Sequence, residues 1–298
     1  MNTINSYPLV STKTTDTISD SMALYNTTAL KCSKLITQHY STSFTLGIQT
    51  LHKKLHFPIY AIYGYVRYAD EIVDTFHDKN RVDLLKRFRE DTFRAIEEKI
   101  SINPVIHSFQ LAVERYSIEN ELIEAFLNSM KMDLDKKEYT DNKYHEYIYG
   151  SAEVVGLMCL RVFCENDSQL YDSLKAGARS LGAAFQKVNF LRDMKSDFDE
   201  RGRVYFPNVN YSKFDTNAKI QIENDIQKDF DAAYEAILRL PKPSRMGVYL
   251  AYVYYLKLFN KIKQASAQTI LSERVRVPDS RKMFLLVESY VKHRLNYI

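Results

Sequence analysis

Turn punctuation is scarce in this sequence: 8 Gly and 7 Pro are spread through 298 residues. Hairpins and tight reversals draw on Gly and Pro, so a chain this poor in them is built from long elements with few sharp turns. Apolar residues recur with helical periodicity from residue 22 onward, in segments of about 12 to 25 residues. Breaks are expected near 56–58, 76–80, 101–104, 117–119, 139–142, 166–168 and 241–244, and one longer irregular stretch near 200–216. An irregular stretch of that length inside a compact domain is more often functional than idle. With no internal repeat, low-complexity linker or composition boundary, the reading is a single all-α domain over 22–298. A Ser/Thr-rich tail of residues 1–21, expected to be flexible, precedes it.

Composition narrows the function classes. Hydrophobic residues make up 45% and charged residues 26%, ordinary for a globular protein. There are 22 Tyr and 16 Phe but no Trp, an aromatic load suited to core filling or to lining a cavity for an apolar ligand. The net charge of +4 comes from scattered cations, which argues against a nucleic-acid stripe and leaves anionic small molecules or a membrane surface. Cys32, Cys159 and Cys164 include no CxxC pair, so neither a disulfide framework nor a zinc site is indicated, and a reducing cytoplasm fits. The longest apolar run, 147–164, is interrupted by Glu153 and Arg161, and no transmembrane helix is expected.

Carboxylates four residues apart project from one helix face, where they repel each other. The sequence has such Asp pairs at 16/20, 70/74, 74/78, 193/197 and 225/229. Asp225/Asp229 lies among polar neighbours and reads as a solvated surface stripe. Asp70/Asp74 differs, because winding the helix at about 100° per residue puts Ile59, Ile62, Tyr63, Val66 and Val73 on the side of Asp70. Acids facing an apolar side need cations, either Arg67 one turn upstream or a bound metal. On a second helix, Gly182, Gln186, Asn189, Asp193 and Asp197 form one small or polar stripe. Two acidic stripes facing each other across a bundle suit Mg²⁺, which takes carboxylates, waters and substrate phosphates.

The segments that carry these acids, RYADEIVD (67–74) and QKVNFLRDMKSDFDERGRVYFP (186–207), resemble the two aspartate-rich motifs of the squalene/phytoene synthase family. YSTSF (40–44), YIYGSAEVVG (147–156), VYYLKLF (253–259) and ERVRV (273–277), followed by Lys282, resemble further family elements in order. Among family members the chain is most similar to bacterial phytoene synthases. The resemblance implies an isoprenoid-synthase-type helical bundle around a central cavity and a prenyltransferase of carotenoid biosynthesis. Two geranylgeranyl diphosphates would be joined head to head, through a cyclopropyl diphosphate, to phytoene. Farnesyl diphosphate, with squalene or dehydrosqualene as product, is the alternative, and a non-catalytic helical scaffold is the alternative of another class.

By the same resemblance, Asp70, Asp74, Asn189, Asp193 and Asp197 would hold Mg²⁺ or Mn²⁺. Arg67, Arg192, Arg274 and Lys282 would bind diphosphate oxygens, and Ser41 and Ser43 would meet the head group; Arg203 and Tyr205 lie in the RGRVYFP loop and are expected to bind substrate by closing over the diphosphates. Tyr147 and Tyr255 would stand near the reacting carbons. The implied setting is a cytoplasmic monomer or homodimer, peripheral to the inner face of the membrane for release of an oily product. The family commonly has Ala-Gly where this chain has Ala152-Glu153, so Glu153 is expected to point away from the cavity or to pair with a cation.

Overall fold

A computed structural model describes residues 16–135, 140–207 and 214–275, and Lys282 lies outside them. Among these residues every regular element longer than a single residue is helical. In order they are α1 (Asp16–Tyr40), α2 (Thr42–Gln49), α3 (Lys53–Asp74), α4 (Arg81–Glu98), α5 (Pro104–Tyr116), α6 (Asn120–Asp135) and α7 (Asp141–Ile148). A π-helical turn (Tyr149–Glu153) leads directly into α8 (Val154–Cys164), followed by α9 (Ser168–Arg201), α10 (Thr216–Arg239), α11 (Lys242–Gln264) and α12 (Ala267–Ser272). Helix α3 packs on α1 and α5, and α9 packs along α10, α8 and the π turn. The resulting bundle surrounds a cavity of about 690 Å³.

Most helix ends carry the caps that their sequence offers. Asn80, Asn103, Asp167 and Asp215 each accept a backbone N–H of the first turn. Four boundaries depart from expectation, two of them unexpected breaks at Ser41 and at 265–266. Helix α1 begins at Asp16, inside the stretch read as a tail. The break expected at 56–58 falls instead at 50–52, and α3 runs through Pro58. Pro58 removes only the bond to the carbonyl of Lys54, which lies in the exposed first turn and can be met by water.

By composition alone, the run Asp141–Cys164 is long and apolar enough to cross a membrane. Half of it is buried in this protein, where it packs against α3, α6 and α9. The two charges that interrupt its apolar part, 147–164, both find partners: Arg161 bonds Glu119 through Nε at 3.0 Å, and Glu153 accepts from Arg179 Nε at 2.5 Å. Glu153 is therefore turned toward α9 and does not line the cavity wall.

Asp225 and Asp229, read as a solvated stripe, both bond the buried Lys187 of α9, Asp229 at 2.8 Å. An ammonium enclosed between α9 and α10 cannot stay charged without partners, which is what the second helix provides.

Gly150 lets the π turn reach α6. A Cβ there would lie 2.5 Å from the Ala125 carbonyl oxygen and 2.7 Å from Ser129 Cβ. Because backbone is the obstacle, Gly150→Ala is expected to cost about 1–3 kcal/mol, measured as a lowered urea midpoint with unchanged slope.

Candidate active site

The stripes read from the sequence converge on the cavity. From α3 come Ile59, Ile62, Tyr63, Val66, Asp70 and Asp74, and from α9 Gly182, Gln186, Asn189, Asp193 and Asp197. Val73, expected beside Asp70, is buried and is not part of the lining. Arg67, Arg192, Arg203, Arg274, Ser41, Tyr147, Tyr205 and Tyr255 line the same cavity. Ser43 does not; it faces a separate small groove with Leu250 and Tyr254. Ser41 N-caps α2, accepting from the Phe44 N–H at 3.2 Å, so the structural role weighed for it is present alongside its place on the cavity wall. Away from the charged residues the lining is Leu51, Phe163, Leu174, Ala236, Leu240 and similar side chains.

The acids are tied to arginines from different parts of the chain. Arg67 pairs with Glu71 on its own helix, and its Nη1 stands 4.0 Å from Asp70. Asp193 is held by Arg192 Nε at 3.0 Å and Arg274 Nε at 2.7 Å. Asp74 accepts from Arg203 Nη1 at 3.0 Å. Among the described residues no three His, Cys, Asp or Glu side chains form a ready-made metal cage.

Arg203 reaches Asp74 because α9 ends on a left-handed glycine. Gly202 has φ of 62°, a conformation that only glycine adopts without cost. Its N–H bonds Phe198 O, and the Arg203 N–H bonds Asp197 O at 2.8 Å. That reversal folds Arg203 and Tyr205 inward, where both are buried. Tyr205 stacks on Phe190 with ring centroids 4.0 Å apart. This part of the loop is docked rather than lying free on the surface.

Asp133 of α6 is a cavity residue that the sequence reading passed over. Its side chain is 5% exposed and accepts the Tyr147 hydroxyl at 2.8 Å, while its backbone carbonyl accepts from Arg203 Nη2 at 3.0 Å. Burial works against the Arg203 charge, but Asp133, then Tyr205 and Asp74, outweigh it and raise its pKa. Asp133 follows the core positions Ile123, Phe126 and Met130 at helical spacing, and an acid in that register was the available signal. Tyr255 donates to Asn189 Oδ1 at 3.3 Å and stacks on Phe185 at 3.9 Å. Burial raises the pKa of its hydroxyl.

Asp70 has a strongly displaced carboxyl. Removal from water pushes its pKa up to about 8; Arg67 pulls it down, and Asp74, Asp133 and Glu71 push it further up. The side chain keeps 32% of its surface and is part of the cavity lining. A carboxyl raised in the folded state binds its proton more tightly there than in the unfolded chain, so stability falls as pH rises from about 4 to about 8. Urea titrations without divalent cations at both ends of that window should show the decline, and Asp70→Asn should remove its share. Asp133→Ala, which removes the buried carboxylate beside Arg203 that accepts the Tyr147 hydroxyl, should cost about 1–3 kcal/mol in the same measurement at neutral pH.

Comparison with known proteins follows this geometry. The model of the squalene/phytoene synthase family matches residues 37–281. A phytoene synthase of Arthrospira platensis is 27% identical over 288 residues, covering 87% of this chain and 92% of the relative. A 4,4'-diapophytoene synthase of Staphylococcus haemolyticus is 25% identical, over 77% of this chain and 86% of the relative. Among solved structures, a ligand-bound dehydrosqualene synthase superposes with a TM-score of 0.78 at 22% identity, covering 90% of this chain and 98% of that one. Squalene synthase HpnC from Alicyclobacillus acidocaldarius gives 0.71 at 17% identity, over 81% and 95%. At these identities the solved structures speak to the fold, which is that of isoprenoid-synthase-type helical proteins.

Proposed function

The chain belongs to the squalene/phytoene synthase family and is a prenyltransferase, and from that premise we propose that it condenses two geranylgeranyl diphosphates head to head to phytoene. The observation that carries the reading is the division of one cavity into two chemistries. Acids and arginines gather on facing helices, and aliphatic and aromatic side chains line the remainder. A ligand anionic at one end and oily at the other fits that division. The choice of geranylgeranyl diphosphate is supported by likeness to the phytoene synthases of Arthrospira platensis and tomato.

Asp70, Asp74, Asn189, Asp193 and Asp197 offer only oxygen donors, the set that Mg²⁺ or Mn²⁺ accepts, and would hold such ions together with substrate phosphates. When bound, the metal supplies Lewis-acid neutralisation of phosphate charge. Arg67, Arg192, Arg203 and Arg274 would present guanidinium N–H groups to the diphosphate oxygens, stabilising charge as the first C–O bond breaks. The allylic cation is attacked by the double bond of the second molecule, and proton loss closes the cyclopropyl diphosphate. A second diphosphate departure, rearrangement and proton loss give the linear hydrocarbon. The ring faces of Tyr147 and Tyr255 can stabilise the cations, and the buried Arg203–Tyr205 segment helps to exclude water from them. A product this apolar has to reach a bilayer, so the reading includes a peripheral contact with the inner face of the membrane.

Incubation with Mg²⁺ and either geranylgeranyl or farnesyl diphosphate, with and without NADPH, tests the reading by product analysis. Phytoene from the longer substrate without reductant is the expected result. Squalene or dehydrosqualene from the shorter one would reassign the substrate. Absence of any condensed hydrocarbon would favour a scaffold role. Asp193→Ala should lower turnover by on the order of 10²- to 10³-fold, the range seen when one charge-stabilising group is removed, with the helical circular dichroism unchanged.

A further inference from the structure

Tyr40 sits oddly for an aromatic residue. It is the last residue of α1 and is 50% exposed, yet its side chain lines the cavity. The corner after it is well fixed: the Ser41 N–H bonds Thr37 O at 2.9 Å and Ser41 Oγ caps α2. This corner holds the Tyr40 ring over the guanidinium of Arg67 on α3, with Cζ 4.3 Å from the ring centroid. Arg67 itself is incompletely satisfied. Its Nη2 pairs with Glu71 and its Nη1 stands 4.0 Å from Asp70, but its Nε is buried without a hydrogen-bond partner. A desolvated donor left unpaired is unfavourable unless a ligand meets it. An aromatic face holds a guanidinium without neutralising its charge, whereas a carboxylate does both.

We propose that Tyr40 is a positioning residue that fixes Arg67 in the cavity, so that its unpaired Nε–H meets a substrate diphosphate oxygen. The proposal rests on the diphosphate reading above and adds to it a residue outside the acid and arginine sets. A ring held in this way keeps Arg67 in place even when Asp70 and Glu71 turn to other cations.

The test uses the full chain as wild type, Tyr40→Phe and Tyr40→Leu. Inorganic pyrophosphate is titrated calorimetrically in the presence of Mg²⁺, and steady-state constants are measured with geranylgeranyl diphosphate. Loss of one cation–π contact should weaken pyrophosphate binding and raise KM by about three- to tenfold in Tyr40→Leu. Turnover at saturation and Tm should stay unchanged, and Tyr40→Phe, which keeps the ring face, should behave as wild type. Wild-type affinity in Tyr40→Leu would overturn the assignment, as would equal loss in Tyr40→Phe or a fall in kcat at constant KM. If the wild type neither binds pyrophosphate nor consumes a prenyl diphosphate, the diphosphate reading falls and this one with it. If only the difference between variants is missing, the assignment of Tyr40 alone falls.

Discussion

Carboxylates at the edge of an apolar cavity cannot stand alone, and the architecture around this cavity follows from that constraint. A buried anion without a partner loses its charge or destabilises the fold. Here Asp193 is met by Arg192 and Arg274, Asp74 by Arg203, and Glu71 by Arg67. Asp70, with the Arg67 guanidinium 4.0 Å away, is displaced strongly toward its neutral form. The arginines come from α3, from α9, from the loop after α9 and from beyond α12. Satisfying the acids therefore joins distant parts of the chain to one another.

A second set of ion pairs lies outside the cavity lining and does structural work. Lys187 with Asp229 and Asp225 binds α9 to α10, Arg179 with Glu153 binds α9 to the π turn, and Arg161 with Glu119 anchors α8. None of these residues lines the cavity. Their spacing looks like that of the site acids, and what separates the two sets is where each face points. Close helix approach at Gly150 and at Gly182, where a Cβ would lie 2.6 Å from the Ala152 carbonyl oxygen, brings these helices together around the cavity.

Much of the site was legible because helical periodicity converts spacing into direction. The register of Asp70 with Ile59, Ile62, Tyr63 and Val66, and that of Asp193 with Gly182, Gln186 and Asn189, each named a stripe that the bundle turns inward. Gln186, noted in that stripe, bonds Ser151 Oγ at 3.3 Å across the cavity wall. Asp133 was passed over because a lone acid on an amphipathic helix resembles a surface residue unless its core register is followed. Asp225 keeps 55% of its side-chain surface, as a surface stripe implies; what the polar neighbours of Asp225 and Asp229 hid is their partner, Lys187, which comes from another helix.

By itself, the sequence determined that the chain is helical, that it carries two acidic stripes and that they belong together. Those properties depend on residues within a few turns of one another, where propensity and periodicity act. Only the tertiary structure decided which cation meets which acid, that Glu153 faces α9, that Ser43 leaves the cavity, and that Arg203 folds back onto Asp74. Each of those outcomes depends on side chains that approach across helix interfaces, at distances that the linear order of residues does not encode.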